Sequence, residues 1–222
     1  MSEVSIIGVD LAKRVFQVHG ALPDGSVAFR KKLSRAQFLK FLREHPPCLI
    51  AMEACATSHY WGREAFGFGH EVRLIPPIYV KPFVKRQKND AADAEAIVEA
   101  ALRPTMRFVE VKSADQQSLG LLFRTRDLLV RQRTQLINAV RGHLAEYGIV
   151  AAVGARNMKS FEKAILDHGT KLPEIGLSIS QLYFDQIAVL TGKVADLEKA
   201  LRQQVAHDKQ AARLQTMPGL AR

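Results

Sequence analysis

Four acids stand where the chain changes character. Asp10 follows the apolar run VSIIGV, Glu53 follows CLIAM, and Asp90 and Asp93 open the segment DAADAEAI. Phosphodiester chemistry needs hard oxygen ligands for one or two Mg²⁺ ions. Two such metals about 4 Å apart can clamp the attacking and leaving oxygens of an in-line displacement. The carboxylates of such a clamp must converge from separate segments, and strand ends beside a helix can supply them. At i and i+3, Asp90 and Asp93 share one helical face. Taken alone, that pair reads as a helix cap: Asn89 or Asp90 suits an N-cap, and Asp93 suits the positive end of the helix dipole. What favours the chemical reading is the set. A carboxylate directly after a buried apolar strand is costly unless a partner or ligand satisfies it, and both Asp10 and Glu53 are placed so.

Cations gather near these acids. Lys81, Lys85, Arg86 and Lys88 precede Asp90, with Tyr79 and Phe83 interleaved as possible stacking rings, and Lys13 follows Asp10 by three. Lys and Arg contact phosphates without reading sequence. A second series, Arg124, Arg126, Arg131, Arg133 and Arg141, punctuates a long helical pattern. These residues read equally well as a solvated face or as phosphate contacts. Arg126 and Arg133 fall in the apolar stripe itself, so they either snorkel or point at nucleic acid. His59, Tyr60 and Trp61 read as packing or surface residues, and Thr57 and Ser58 as helix caps rather than nucleophiles.

The elements that must position these groups follow from periodicity. Residues 4–9, 14–20 and 26–33 predict three strands in an antiparallel meander, with LPDG (22–25) as a turn. A helix over 34–45 starts at Ser34 and stops at Pro46 and Pro47. Strands over 48–53 and 70–75 flank a helix capped at Thr57 or Ser58, 78–86 form a short helix or loop, and 89–102 are helical. Alternating α and β after a meander implies a mixed sheet with helices on its faces. Beyond residue 112 the pattern becomes helical. One long helix spans 113–148, with Leu119, Leu122, Leu129, Leu136 and Val140 on one face, and a second runs from about 178 to 206. Ile187, Leu190, Val194, Leu197 and Leu201 are spaced as a heptad seam, so the two helices predict a hairpin or a dimerising arm. The region between them holds one short helix near 158–167.

Composition bounds the partners. Lys and Arg number 32 against 22 Asp and Glu, a net charge of +10, and such a surface favours polyanions. Cys48 and Cys55 have neither metal-ligand nor disulfide spacing, and no Walker or Rossmann glycine loop occurs. With no signal peptide and no long apolar run, a cytosolic location is expected.

The stretches IGVDLAKRVFQVHG, AMEACATSHYWGREAFGFGHEVRLIPP and VKRQKNDAADAEAI together resemble the DEDD transposases of bacterial insertion sequences, recombinases guided by a bridge RNA and related to the Piv invertases. The resemblance covers residues 4–110 closely and 113–215 more loosely. It implies a RuvC-like RNase H fold over 1–110, followed by a helical, coiled-coil region over 111–215. It places the acidic tetrad on Asp10, Glu53, Asp90 and Asp93, with one or two Mg²⁺ ions there, and implies DNA strand cleavage and exchange. It also implies a structured guide RNA and a homodimer or higher homo-oligomer as partners, at the bacterial nucleoid. In that family a serine-bearing domain follows a Pro-Gly like Pro218-Gly219, so residues 216–222 are expected to begin such a domain. Two other functions remain in view: a nucleic-acid-binding and dimerisation module without catalysis of its own, and a nuclease like the Holliday-junction resolvases.

Overall fold

The computed structural model describes residues 4–84, 90–150, 157, 161–163, 165 and 172–207, without the side chains of Asp90, Ala91, Val205 and His207. The chain divides into two compact units, Met1–Asp115 and Gln116–Arg222.

The first unit is α/β. Strands β1 (Ile6–Asp10), β2 (Val15–Ala21) and β3 (Val27–Ser34) form the expected meander, and β4 (Leu49–Glu53) and β5 (Glu71–Ile75) complete a sheet of order β3-β2-β1-β4-β5. β1 is antiparallel to β2 and parallel to β4, so the sheet is mixed. The turn between β2 and β3 forms because Asp24 Oδ1 accepts from the Ser26 N–H and hydroxyl at 2.9 and 2.7 Å, while Gly25 takes a positive φ of 83°. Helix α1 (Arg35–Glu44) opens on a full capping box: Ser34 Oγ accepts from the Gln37 N–H, and Gln37 Oε1 accepts from the Ser34 N–H. Helix α2 (Ser58–Gly67) follows β4. After β5 come the single turn α3 (Pro77–Val80), a 3-10 turn (Lys81–Phe83) and helix α4 (Asp90–Ala101).

Alternation along the strands sorts side chains to two faces. Ile7, Val9, Phe16, Val18, Ile50, Met52 and Leu74 pack with Phe38 and Leu42 of α1 and Trp61 and Ala65 of α2. Edge-to-face contacts of 5.1 Å (Phe16–Trp61) and 5.0 Å (Phe38–Trp61) centre this layer. Ile6, Ala21, Ala51 and Ile75 point the other way, onto the alanine-rich face of α4. That helix comes very close. A Cβ on Gly8 would run into the Ala94 carbonyl oxygen and would lie 2.6 Å from Val98 Cγ2. Glycine in the middle of β1 is therefore what lets α4 lie directly on the sheet.

The second unit is built on α5 (Ala114–Ala145) and α6 (Glu174–His207). Ile187, Leu190, Val194 and Leu201 of the expected seam are buried and Leu197 is half-buried. Ile137, Val140 and Leu144 of α5 join a core with Phe161, Ile165, Leu172 and Phe184. α6 starts four residues earlier than expected. Pro173 precedes its first turn, where a missing N–H costs nothing, and Gly176 is accommodated in that turn instead of breaking the helix. Most of the short helix expected near 158–167, and all of 216–222, lie outside the described residues.

Candidate metal centre and nucleic-acid interface

Parity places two acids on the α4 side of the sheet. Gly8 and Ala51 face α4, so Asp10 and Glu53, two residues further along β1 and β4, face the same way. The last registered pair between these parallel strands is Val9 with Met52. One step on, Asp10 and Glu53 sit side by side at the strands' C-terminal ends. α4 then delivers Asp93, the residue before the Ala94 that rests on Gly8.

The consequence is visible at Glu53. Its carboxyl is raised above the ordinary range, first by burial and second by the negative charge of Asp93, while Lys81 acts in the opposite sense. Glu53, Asp93 and Lys81 are thus brought together, with Asp10, half-buried, at the neighbouring strand end. Lys13 is exposed just beyond β1. Asp90 is the first residue of α4; its side chain, and Lys85, Arg86 and Lys88 entirely, lie outside the described residues. Among the described residues no three His, Cys, Asp or Glu side chains yet converge tightly enough to hold a metal by themselves. The Glu53–Asp93 pair nevertheless suits a divalent cation. Its donors are hard oxygens, and its two like charges repel in a partly buried place that a cation would neutralise.

The neighbouring residues prove structural. Thr57 occupies the N-cap of α2 without making a side-chain cap bond, contrary to expectation. Ser58 is buried and donates to the Cys55 carbonyl at 2.9 Å, so it closes the β4–α2 turn. His59 Nδ1 accepts from the Lys112 N–H at 3.2 Å. Trp61 is core. Tyr79 is exposed, whereas Phe83 packs beneath α4 with the Arg103 guanidinium over its ring at 5.3 Å. Cys48 sits at the opposite end of β4, and burial pushes its thiol up to about 11, so it is protonated and inert at neutral pH.

On α5, Arg124 and Arg131 are exposed. Arg126 does something the spacing did not show. Its Nη2 donates to Glu198 Oε1 of α6 at 2.7 Å and its Nε to the same oxygen at 3.3 Å. Arg133 contributes its charge to the same carboxylate. Arg126, in the apolar stripe, thus meets an acid on the facing helix, and Arg133 acts on that acid through its charge. Gly8 is the other residue sequence reasoning passed over, although a lone glycine inside an apolar strand signals close approach of another backbone.

Comparison with known proteins settles the family. The model of DEDD transposases of the IS110 type, described as a transposase, matches residues 7–149. The chain belongs to this family. The match covers nearly all of the sheet unit and α5. Among curated IS110-type relatives, a protein named "Probable family 20 transposase" from Pseudomonas aeruginosa is 46% identical over 98% of this chain. The transposase for insertion sequence element IS1328 of Yersinia enterocolitica is 39% identical over 99% of it, and the transposase for IS1111A of Coxiella burnetii is 36% identical over 99%. The chain spans 65%, 65% and 61% of their respective lengths. Among the described residues, no helix is long and apolar enough to cross a membrane.

Proposed function

We propose that this chain supplies the acidic, Mg²⁺-holding part of a transposase that cleaves and exchanges DNA strands. Asp10, Glu53, Asp90 and Asp93 are its metal ligands, on a sheet read as RNase H-like. The observation that carries the proposal is Glu53. Its carboxyl sits at a strand end, raised by burial and by Asp93, with Lys81 acting in the opposite sense. An acid held in such repulsion, next to a like charge and at the junction of three elements, is what a cation-holding site requires before the cation arrives. When bound, Mg²⁺ would supply Lewis-acid stabilisation of charge on a phosphodiester. The chain's own residues do the rest. Glu53 and Asp93 present oxygens from β4 and α4, Asp10 stands on the adjoining strand, and Lys81 and Lys13 offer cations to the flanking phosphates.

DNA is the substrate on this reading, and a structured guide RNA and a second copy of the chain are its partners. The net charge of +10 and the exposed Arg124 and Arg131 support a polyanion. Complete strand exchange is proposed for the longer transposases that the chain resembles. For this chain the proposal is metal holding and phosphodiester engagement.

Calorimetric titration of the chain with Mn²⁺ tests it. Glu53→Gln and Asp93→Asn are each expected to lower affinity by at least about tenfold, the scale of losing a charged metal contact, and Asp10→Ala to abolish Mg²⁺-dependent binding or nicking of branched DNA. Wild-type Mn²⁺ affinity in both the Glu53 and Asp93 variants would overturn the reading.

A further inference from the structure

Gly8, His19 and Arg30 form one row across β1, β2 and β3, each the registered partner of the next. α4 crosses this row with Ala94 over Gly8. At 3.6 residues per turn, Asp93 and Glu95 leave the helix on opposite flanks of that contact. The Asp93 flank lies toward β4 and Glu53. The Glu95 flank lies toward β3, on the other side of β1 in the sheet order. There Arg30 Nη2 donates to Glu95 Oε2 at 2.8 Å, and the carboxylate side chain is only 23% exposed. Arg30 is steadied from below, where its Nε approaches Nδ1 of His19, a buried residue, at 3.5 Å. The contact of Ala94 and Val98 on Gly8, and the small apolar side chains around it, fix how near α4 lies and roughly which face it presents. A charged tie on one flank sets the remaining roll about the helix axis.

We infer that Arg30 is a positioning residue for the acidic site: through Glu95 it sets the roll of α4 and so holds Asp93 beside Glu53. This rests on the metal-holding reading above. The test is Mn²⁺ titration of the 222-residue chain, with Glu53→Gln as reference and thermal melting alongside. Arg30→Leu and Glu95→Gln are each expected to weaken Mn²⁺ binding about fivefold, the scale of one partly exposed ion pair. Arg30→Lys is expected to recover most of that loss, as is the exchanged pair Arg30→Glu with Glu95→Arg. A role confined to stability would lower the melting temperature and leave the affinity of the folded chain alone. Should Arg30→Leu fold poorly, Glu95→Gln, which keeps the size of the side chain, decides. Wild-type affinity in Glu95→Gln or Arg30→Leu while Glu53→Gln binds weakly overturns the inference and spares the metal reading. Wild-type affinity in Glu53→Gln as well removes the metal reading and the inference with it.

Discussion

Glu53 of the sheet unit and Glu198 of the helical unit are both only partly exposed, each with a cation at hand, yet their carboxyls move in opposite directions. Glu198 is held below the ordinary range, first by its hydrogen bond from Arg126 and further by the charges of Arg126, Arg202 and Arg133. Glu53 is raised by burial and by Asp93, with Lys81 opposing among the described residues. The difference separates two uses of a charge. In the helical unit an acid and a base answer each other across two helices, and the pair is complete. In the sheet unit, among the described residues, burial and the Asp93 charge outweigh Lys81 at Glu53, a balance that a further cation would redress. An ion pair between elements is weak evidence of function, whereas a carboxyl raised by burial and by a neighbouring like charge is better evidence.

The comparison can be broken at several levels. The largest effect is expected from Gly8→Leu. Its side chain meets the backbone of α4, so the sheet unit should lose about 3 kcal/mol or more, at the upper end of overpacking. Metal binding should disappear while far-ultraviolet dichroism retains the signal of α5 and α6. Next is the response to metal. At a free Mg²⁺ concentration a hundred times Kd, linkage predicts about 2.7 kcal/mol of added stability, seen as a raised melting temperature that Glu53→Gln abolishes and Glu198→Gln keeps. Arg126→Met should cost no more than about 1 kcal/mol, as partly exposed pairs do, and leave Mn²⁺ titration unchanged. A larger loss of metal affinity there would mean that the two units are not separable in this way.

The smallest effect carries the sharpest sign. The raised carboxyl of Glu53 stabilises the fold only while protonated, below the ordinary carboxylate range, and that contribution is lost as pH rises through its folded value. Without metal, Glu53→Gln should therefore melt higher than wild type at pH 7, and the gap should close as the solution is acidified. The lowered carboxyl of Glu198 stabilises above the ordinary range and loses this as pH falls through its folded value. Glu198→Gln should melt lower than wild type at pH 7, and that gap should also close in acid. Melting curves from pH 4 to 7 in chelator check both. Shifts of the same sign for the two variants would remove the contrast.

Local chemistry was legible in the sequence and long-range pairing was not. Alternation and turn residues placed all five strands to within two residues, and Ser34 announced the cap of α1, although not the reciprocal bond from Gln37. Thr57 looked equally good as a cap and makes no such bond, because the turn is closed by Ser58 instead. Asp10, Glu53 and Asp93 were legible as acids at element ends, since burial makes a carboxylate conspicuous after an apolar strand. The approach of Asp93 to Glu53 depends on Gly8, whose meaning lies in a helix more than eighty residues later in the chain. Arg126 shows the same limit. Its spacing marked it as odd, but its partner is 72 residues away, and no periodicity carries that information. Arg30 and Glu95, 65 residues apart, gave no signal at all.

The parallel register of β1 and β4 has a consequence for how the gene can vary. Asp10 and Glu53 are neighbours because Ile6 pairs with Leu49 and every later residue keeps step. Successive side chains alternate between faces, so one codon inserted or lost between Leu49 and Glu53 would carry the carboxylate through the sheet to the α1 and α2 side. Two codons would return it to the right face but a step past Asp10. Cys48 is already tied, its N–H donating to His70 Nδ1 and its carbonyl accepting from the Glu71 N–H. Deletion scanning should therefore find a boundary at Cys48, beyond which even single-codon changes silence the site while those in the preceding Pro46–Pro47 turn are better tolerated.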